Sequence, residues 1–193
     1  MKKSCQRLFW DRKNKRYWDS DNTEHASLHA NIFPLAFGLV DEKDKAPVMK
    51  YIRSKGMIPG VWLELEVMGI NCHMAQEVPD DWFFMRHGKR VYDRSRYQLD
   101  YRNPEVRAYA DSVIDRLIKE YGVGYIKMDY NIEPGIGTDL HADSAGDGML
   151  SHERAYLKWL EAVFKRYPDL VIENCSSGGL RMDYAMLSRY SIQ

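Results

Sequence analysis

The sequence predicts an α/β fold, a partial (β/α)8 TIM-type barrel of parallel strands with crossover helices. Three observations carry this. Short apolar runs of strand length alternate with longer amphipathic stretches of helix length. No hairpin signal such as Asn-Gly separates the strands. Polar residues stand at the C-terminal ends of successive strands: Glu64 and Glu66, Lys127 and Asp129, Glu173 and Cys175. Strands alternating with helices pair in parallel through crossovers, and barrel enzymes assemble their sites at that end of the strands. A closed barrel has eight strands and about 250 residues. The 193 residues here supply three or four strands, so the barrel is expected to be incomplete.

The elements follow in order. Residues 1–40 are expected to be irregular, because RLFWDRKNKRYWDSDNTEH keeps neither a helical nor a strand period. DEKDKAPVMKYIRSKGM then opens on acidic residues, sets Val48, Tyr51 and Ile52 at helical spacing and stops at Gly56, which predicts a helix of about a dozen residues. IPGVWLELEV, 58–67, brings Trp62, Glu64 and Glu66 to alternate positions and reads as a strand ending in carboxylates. RSRYQLDYRNP, 94–104, is a weaker extended segment, and Pro104 opens a helix that Gly122 closes. The strand GYIKMD, a glycine-rich loop and a helix over 148–167 come next. The strand DLVIENC, 169–175, and the turn SSGG then lead to a short helix in LRMDYAMLSRY. The domain reading is therefore a segment 1–40 followed by an incomplete catalytic barrel over 41–193.

Composition narrows the function classes. Lys plus Arg (28) equal Asp plus Glu (28), so no global field favours nucleic acid or an anionic membrane. No apolar run approaches the ~20 residues of a membrane span. Cys5, Cys72 and Cys175 form neither a metal-type pair nor a disulfide framework, and the reducing cytoplasm is the expected compartment. Of the six histidines, His25 and His29 stand four apart, but no third ligand accompanies them, so no metal is expected. Lys127 and Asp129, two apart, share one face of a strand. They can form a plain strand-end ion pair, or a carboxylate held ionised by an ammonium and ready to attack. Cys175 is either a small buried residue or a site residue. SSGG is a strand-to-helix turn or a phosphate cradle. Glu64 and Glu66 bind a polar ligand or sit in a polar rim.

The motifs GVWLELE, SRYQLDYRNPEV, YIKMDYN and IENCSSGGLRMD resemble, in order and spacing, the catalytic barrel of the α-galactosidases of glycoside hydrolase family 36, the melibiase group. The resemblance covers about residues 56–193. It implies a retaining glycoside hydrolase that acts on terminal α-galactosides through a covalent intermediate on Asp129, without cofactor. Lys127 then donates to sugar hydroxyls, and Cys175 with Gly178 and Gly179 forms the turn that lets backbone approach the ring. Trp62, Arg94, Glu66 and Asn131 complete the implied substrate-binding set. Met128 replaces the family's usual Trp, and the paired aspartates before a Gly-Trp have no counterpart in this sequence. The Ser-Asp-x-x-Asp segment that supplies the family's acid/base is expected beyond Gln193. The implied partners are α-galactoside oligosaccharides, and a homo-oligomer is compatible. The stretch TEHASLH through SKGM, about residues 24–57, instead resembles a segment of bacterial α-L-rhamnosidases, which implies a chimeric chain. A non-catalytic carbohydrate-binding fragment is the alternative to an enzyme.

Overall fold

The computed structural model describes residues 2–36 and 38–193, which form two compact units. One comprises Met1–Gly60 with Asp115–Gly124, the other Val61–Ile114 with Tyr125–Gln193.

The first unit opens with helix α1, Lys2–Phe9, which runs straight into a hairpin of β1, Trp10–Asp11, and β2, Arg16–Tyr17. Helices α2, Leu28–Ala36, and α3, Glu42–Ser54, follow. The expectation of an irregular N-terminal segment is thus corrected. The hairpin turn is closed by Asp11, whose carboxylate accepts from the Lys13 and Asn14 amides at 3.1 Å each and from the Asn14 side chain at 2.7 Å. Tyr17 is 1% exposed, and its amide donates to Asn31 Oδ1 at 2.7 Å. Two residues per strand are too few to show a period, so the sequence pattern conceals this hairpin. In α2, Phe33 is exposed and Ile32 and Leu35 are half-buried. Phe37 lies outside the described residues. Helix α3 has the predicted bounds to within a residue or two, with Val48, Met49 and Ile52 buried and Gly56 beyond its end at φ 77°.

The second unit begins within β3, Gly60–Leu63, and continues with β4, Val67–Gly69, helix α4, His73–Glu77, and a 3-10 turn at Asp80–Trp82. Four short strands follow: β5, Met85–Arg86, β6, Lys89–Arg90, β7, Tyr92–Asp93, and β8, Arg96–Gln98. Helix α5, Pro104–Lys119, strand β9, Tyr125–Met128, helix α6, Ala145–Arg166, strand β10, Val171–Asn174, and helix α7, Tyr184–Leu187, complete the chain. The strands β10, β9 and β3 form one sheet in that order. β9 and β10 pair in parallel, with Lys127 opposite Glu173 and Met128 opposite Asn174. The Gly124 amide donates to Pro59 at one end and the Asp129 amide to Leu63 at the other, so β3 runs the same way. The Cys175 amide donates to Met128 at 2.9 Å, which sets Asp129 and Cys175 at the same end of neighbouring parallel strands, as the βα pattern predicts. Ile126, Met128 and Ile172 are buried, whereas Tyr125, Lys127, Val171 and Glu173 alternate with them and are half-buried.

One expectation changes here. The segment 94–104, expected to be extended, contributes β8 to an antiparallel excursion between β3 and α5, in which β8 lies between β4 and β7 and β5 and β6 form a hairpin. Its turns are His87-Gly88 at φ 50° and 73° and Arg94-Ser95 at φ 46° and 63°. Two-residue hairpin turns of type I′ place both central residues at positive φ, and the sequence meets that demand with pairs that do not look like Asn-Gly. The observed fold is therefore α/β with a three-stranded parallel sheet and an antiparallel insertion.

Helix α6 begins three residues earlier than predicted, because Ser144 Oγ accepts from the Asp147 amide at 3.1 Å and caps it. Its first turn lies against the preceding loop. A Cβ on Gly148 would meet the Thr138 carbonyl at 2.1 Å. Gly148→Ala is therefore expected to destabilise the protein by ~1–3 kcal/mol through overpacking. An unshifted thermal melt would contradict this close approach. Among the described residues, no helix is long and apolar enough to cross a membrane.

Candidate active site

The parallel sheet brings the polar strand ends together. Asp129 follows the last residue of β9 and is 9% exposed. Its Oδ2 accepts from Trp62 Nε1 at 3.0 Å and its Oδ1 from the Tyr130 amide at 2.9 Å. Burial pushes this carboxyl up, but hydrogen bonds from Asn131, Trp62, Cys175 and the Tyr130 amide outweigh it and hold Asp129 below the usual carboxylate range. The site therefore offers a carboxylate that is largely buried, ionised at neutral pH and fixed through both oxygens.

Lys127 does not supply that charge balance. Its ammonium pairs with Glu173, which also accepts from the Tyr125 hydroxyl. The expectation that Lys127 holds Asp129 ionised is corrected by register. Residues two apart on a strand are roughly 6.5–7 Å apart, whereas in-register neighbours on adjacent strands are about 4.8 Å apart. Glu173 is the in-register neighbour of Lys127. The hydrogen bond raises the Lys127 pKa and lowers that of Glu173, so both stay charged.

Asn131 joins three elements. Its Nδ2 donates to Glu64 Oε1 at 2.8 Å, and its Oδ1 accepts from the Ser177 amide at 3.0 Å and from Ser177 Oγ at 2.8 Å. Arg96 holds the other Glu64 oxygen at 2.7 Å. Ser177 at φ 43° and Gly178 at φ 97° form the turn after β10, and the space where a Gly178 Cβ would stand is open to at least 4 Å. Gly179 lies against Met182 Sδ, 3.0 Å from its own would-be Cβ. Cys175 is buried at the strand end beside Asp129. Trp62 is 54% exposed, so a broad apolar surface borders the carboxylate that its indole N–H holds. Arg94, on the β7–β8 turn, reaches the Asn131 carbonyl at 3.5 Å.

Glu66, like Cys175 among the predicted ligand residues, is withdrawn from the surface. It is 1% exposed and both oxygens accept from Arg181, at 2.5 and 3.0 Å, so it is an internal anchor rather than an open acceptor. Asp183 caps α7 through one oxygen only, Oδ1, which accepts from the Ala185 and Met186 amides at 2.9 and 3.1 Å, and the residue is exposed. Sequence reasoning missed Arg181, Arg96, Ser177 and Tyr130. Three of them show no spacing signal, but Ser177 sits inside the SSGG turn that was singled out.

The Melibiase family profile matches residues 40–192. That span takes in residues 40–57, half of the stretch that resembles an α-L-rhamnosidase. The α-galactosidase Mel36A of Lactobacillus acidophilus is 30% identical over 138 residues, which cover 69% of this chain and 18% of that protein. The crystal structure of the α-galactosidase from Lactobacillus brevis superposes with a TM-score of 0.67 at 24% identity, over 78% of this chain and 21% of that one. A variant of the α-galactosidase AgaA from Geobacillus stearothermophilus, in complex with raffinose, superposes with a TM-score of 0.66 at 20% identity, over 95% of this chain and 24% of that one. These two structures, at such identities, speak for the fold. The chain spans about a fifth of the length of the curated relatives it matches.

Proposed function

Because the chain belongs to the Melibiase family, we propose that the strand-end cluster around Asp129 is part of the active site of a retaining glycoside hydrolase acting on terminal α-galactosides. The observation that supports this is the Asp129 carboxylate itself, largely buried yet held ionised by four donors. Asp129 attacks the anomeric carbon and a separate acid protonates the departing aglycone oxygen, leaving a β-galactosyl ester on Asp129. Water then displaces the carboxylate from the same face that the aglycone left, and two inversions give net retention. Lys127, with one ammonium proton committed to Glu173, keeps two donors for sugar hydroxyls. The exposed Trp62 ring supplies an apolar wall, and the open turn at Gly178 admits the ring close to backbone. Arg94 and Asn131 line the rim, Arg94 from a turn that only positive φ allows. 4-Nitrophenyl α-galactoside, whose acidic phenol departs with little help from a proton donor, is a suitable first substrate. Time-resolved proton NMR of the first-formed sugar tests the reading. α-Galactose is expected first, and β-galactose first would overturn it.

Trp62→Phe separates the roles of the ring and its N–H. The variant keeps the aromatic wall but loses the donor that helps hold Asp129 below the usual range. Asp129 must be ionised to attack, so losing a donor raises its pKa. The acidic limb of kcat/KM against pH is expected to move to higher pH. A limb that stays in place would mean the indole N–H has no part in ionising Asp129.

The same reading takes the three-stranded parallel sheet as an arc of a (β/α)8 barrel, with the residues before 40 lying outside it as a separate segment and the protein working in the cytoplasm. Limited proteolysis with a Glu-specific protease addresses the segment. Glu24 is exposed in the coil before α2, whereas Glu66 is 1% exposed. Cleavage after Glu24 is expected well before any cut in the strands. Equal protection would place the segment within the barrel's own fold.

A further inference from the structure

Next to Asp129 lies a ring of four residues, Glu66, Arg181, Tyr130 and Gln98, closed through the Glu66 backbone carbonyl. Arg181 donates to both oxygens of Glu66, and its guanidinium stacks 4.3 Å over the Tyr130 ring. The Tyr130 hydroxyl donates to Gln98 Oε1 at 2.6 Å, and Gln98 Nε2 returns to the Glu66 carbonyl at 3.2 Å. Glu66 and Gln98 are each 1% exposed, and the Arg181 side chain is 13% exposed. The ring ties together the β3–β4 turn, strand β8, the residue after Asp129 and the loop after β10. Tyr130 is its one link to the carboxylate: its amide donates to Asp129 Oδ1 at 2.9 Å, while its own carbonyl accepts from Ser176 Oγ at 2.7 Å.

We infer that Arg181 and Tyr130 are positioning residues, and that the Glu66–Arg181–Tyr130–Gln98 ring fixes the orientation in which Asp129 attacks. This rests on the reading of Asp129 as nucleophile. A carboxylate whose Oδ1 is held by a backbone amide points where that peptide points. The Tyr130 peptide is set by its side chain on one side and by Ser176 on the other. A fully satisfied buried network has one low-energy arrangement, so it transmits that setting rigidly. The planar guanidinium matters for its shape as well as its charge, because it pairs with Glu66 through two parallel bonds and covers an aromatic face with the same atoms.

Two variants test this without emptying the core. Arg181→Lys leaves Glu66 a counter-ion but lacks the planar group over Tyr130. Tyr130→Phe removes a single oxygen and keeps the ring and the amide. Each is assayed on 4-nitrophenyl α-galactoside per folded molecule, beside Asp129→Asn. With Asp129→Asn inactive, kcat is expected to fall ~10-fold in both variants with KM changed less than about twofold, as for a misplaced reacting group. A structural role alone predicts a lower melting temperature with kcat per folded molecule unchanged, and that result in both variants would overturn the inference. A raised KM with kcat intact would also overturn it, by making these residues substrate contacts. Should Asp129→Asn keep its activity, the nucleophile assignment fails first and takes this inference with it, and that variant alone reports the difference.

Discussion

Asn in place of Asp129 is expected to lower turnover of an aryl α-galactoside by about 10³-fold or more, with the fold unchanged. The amide has the carboxylate's shape, and its oxygen can still accept one of the hydrogen bonds now made by Trp62 Nε1 and the Tyr130 amide. What it loses is the charge that attacks the anomeric carbon. Asp129→Gly sharpens the test, because it opens a space beside that carbon. Added azide can enter there, form a bond to carbon and displace the aryloxide with its electron pair. One inversion replaces two, so the product is β-galactosyl azide rather than α-galactose. Its appearance in the NMR spectrum would identify Asp129 as the nucleophile by stereochemistry. Hydrolysis within tenfold of the unmodified protein in Asp129→Asn would remove Asp129 from that role.

Arg181→Met is expected to carry the largest cost in stability. Glu66 is 1% exposed and has both oxygens on Arg181, and Glu153 stands 3.7 Å from the same guanidinium. Deleting one partner of such a pair leaves a buried charge without compensation, which costs about 3–5 kcal/mol. For a chain of this size that corresponds to a fall of roughly 6–20 °C in melting temperature. Removing both partners is gentler than removing one, because well-packed apolar residues of similar volume replace a buried pair at little cost. The double variant Glu66→Met, Arg181→Met is therefore expected to recover most of the loss. A double variant as unstable as the single would show that Arg181 contributes through its stacking on Tyr130 and Tyr156 and not through Glu66.

Much of the framework is legible in the sequence. Helices α3 and α5 and strands β9 and β10 announce themselves by period, by a proline at the start of α5 and by glycines at the ends of α3 and α5. Each depends only on residues close in sequence, and such signals survive in one dimension. The parallel pairing of β9 with β10 also follows, because a strand that re-enters after a helix has little choice of direction. Asp129 at a strand end was visible for the same reason.

The partners of those residues were not legible. Lys127 and Asp129 sit two apart in sequence, yet Lys127 pairs with Glu173, 46 residues away, because strand register brings Glu173 closer than the pleat brings Asp129. Glu66 reads as one more strand-end carboxylate, but Arg181, 115 residues on, draws both of its oxygens inward. The β1–β2 hairpin and the His87-Gly88 and Arg94-Ser95 turns escaped because two-residue strands carry no period and because φ is a property of the folded backbone. The sequence by itself determined which residues lie on strands and which strand ends carry charge, since both are set by local spacing. Only the tertiary structure decided which charges meet, because a contact across strands depends on register and loop path, and neither is written at any single position.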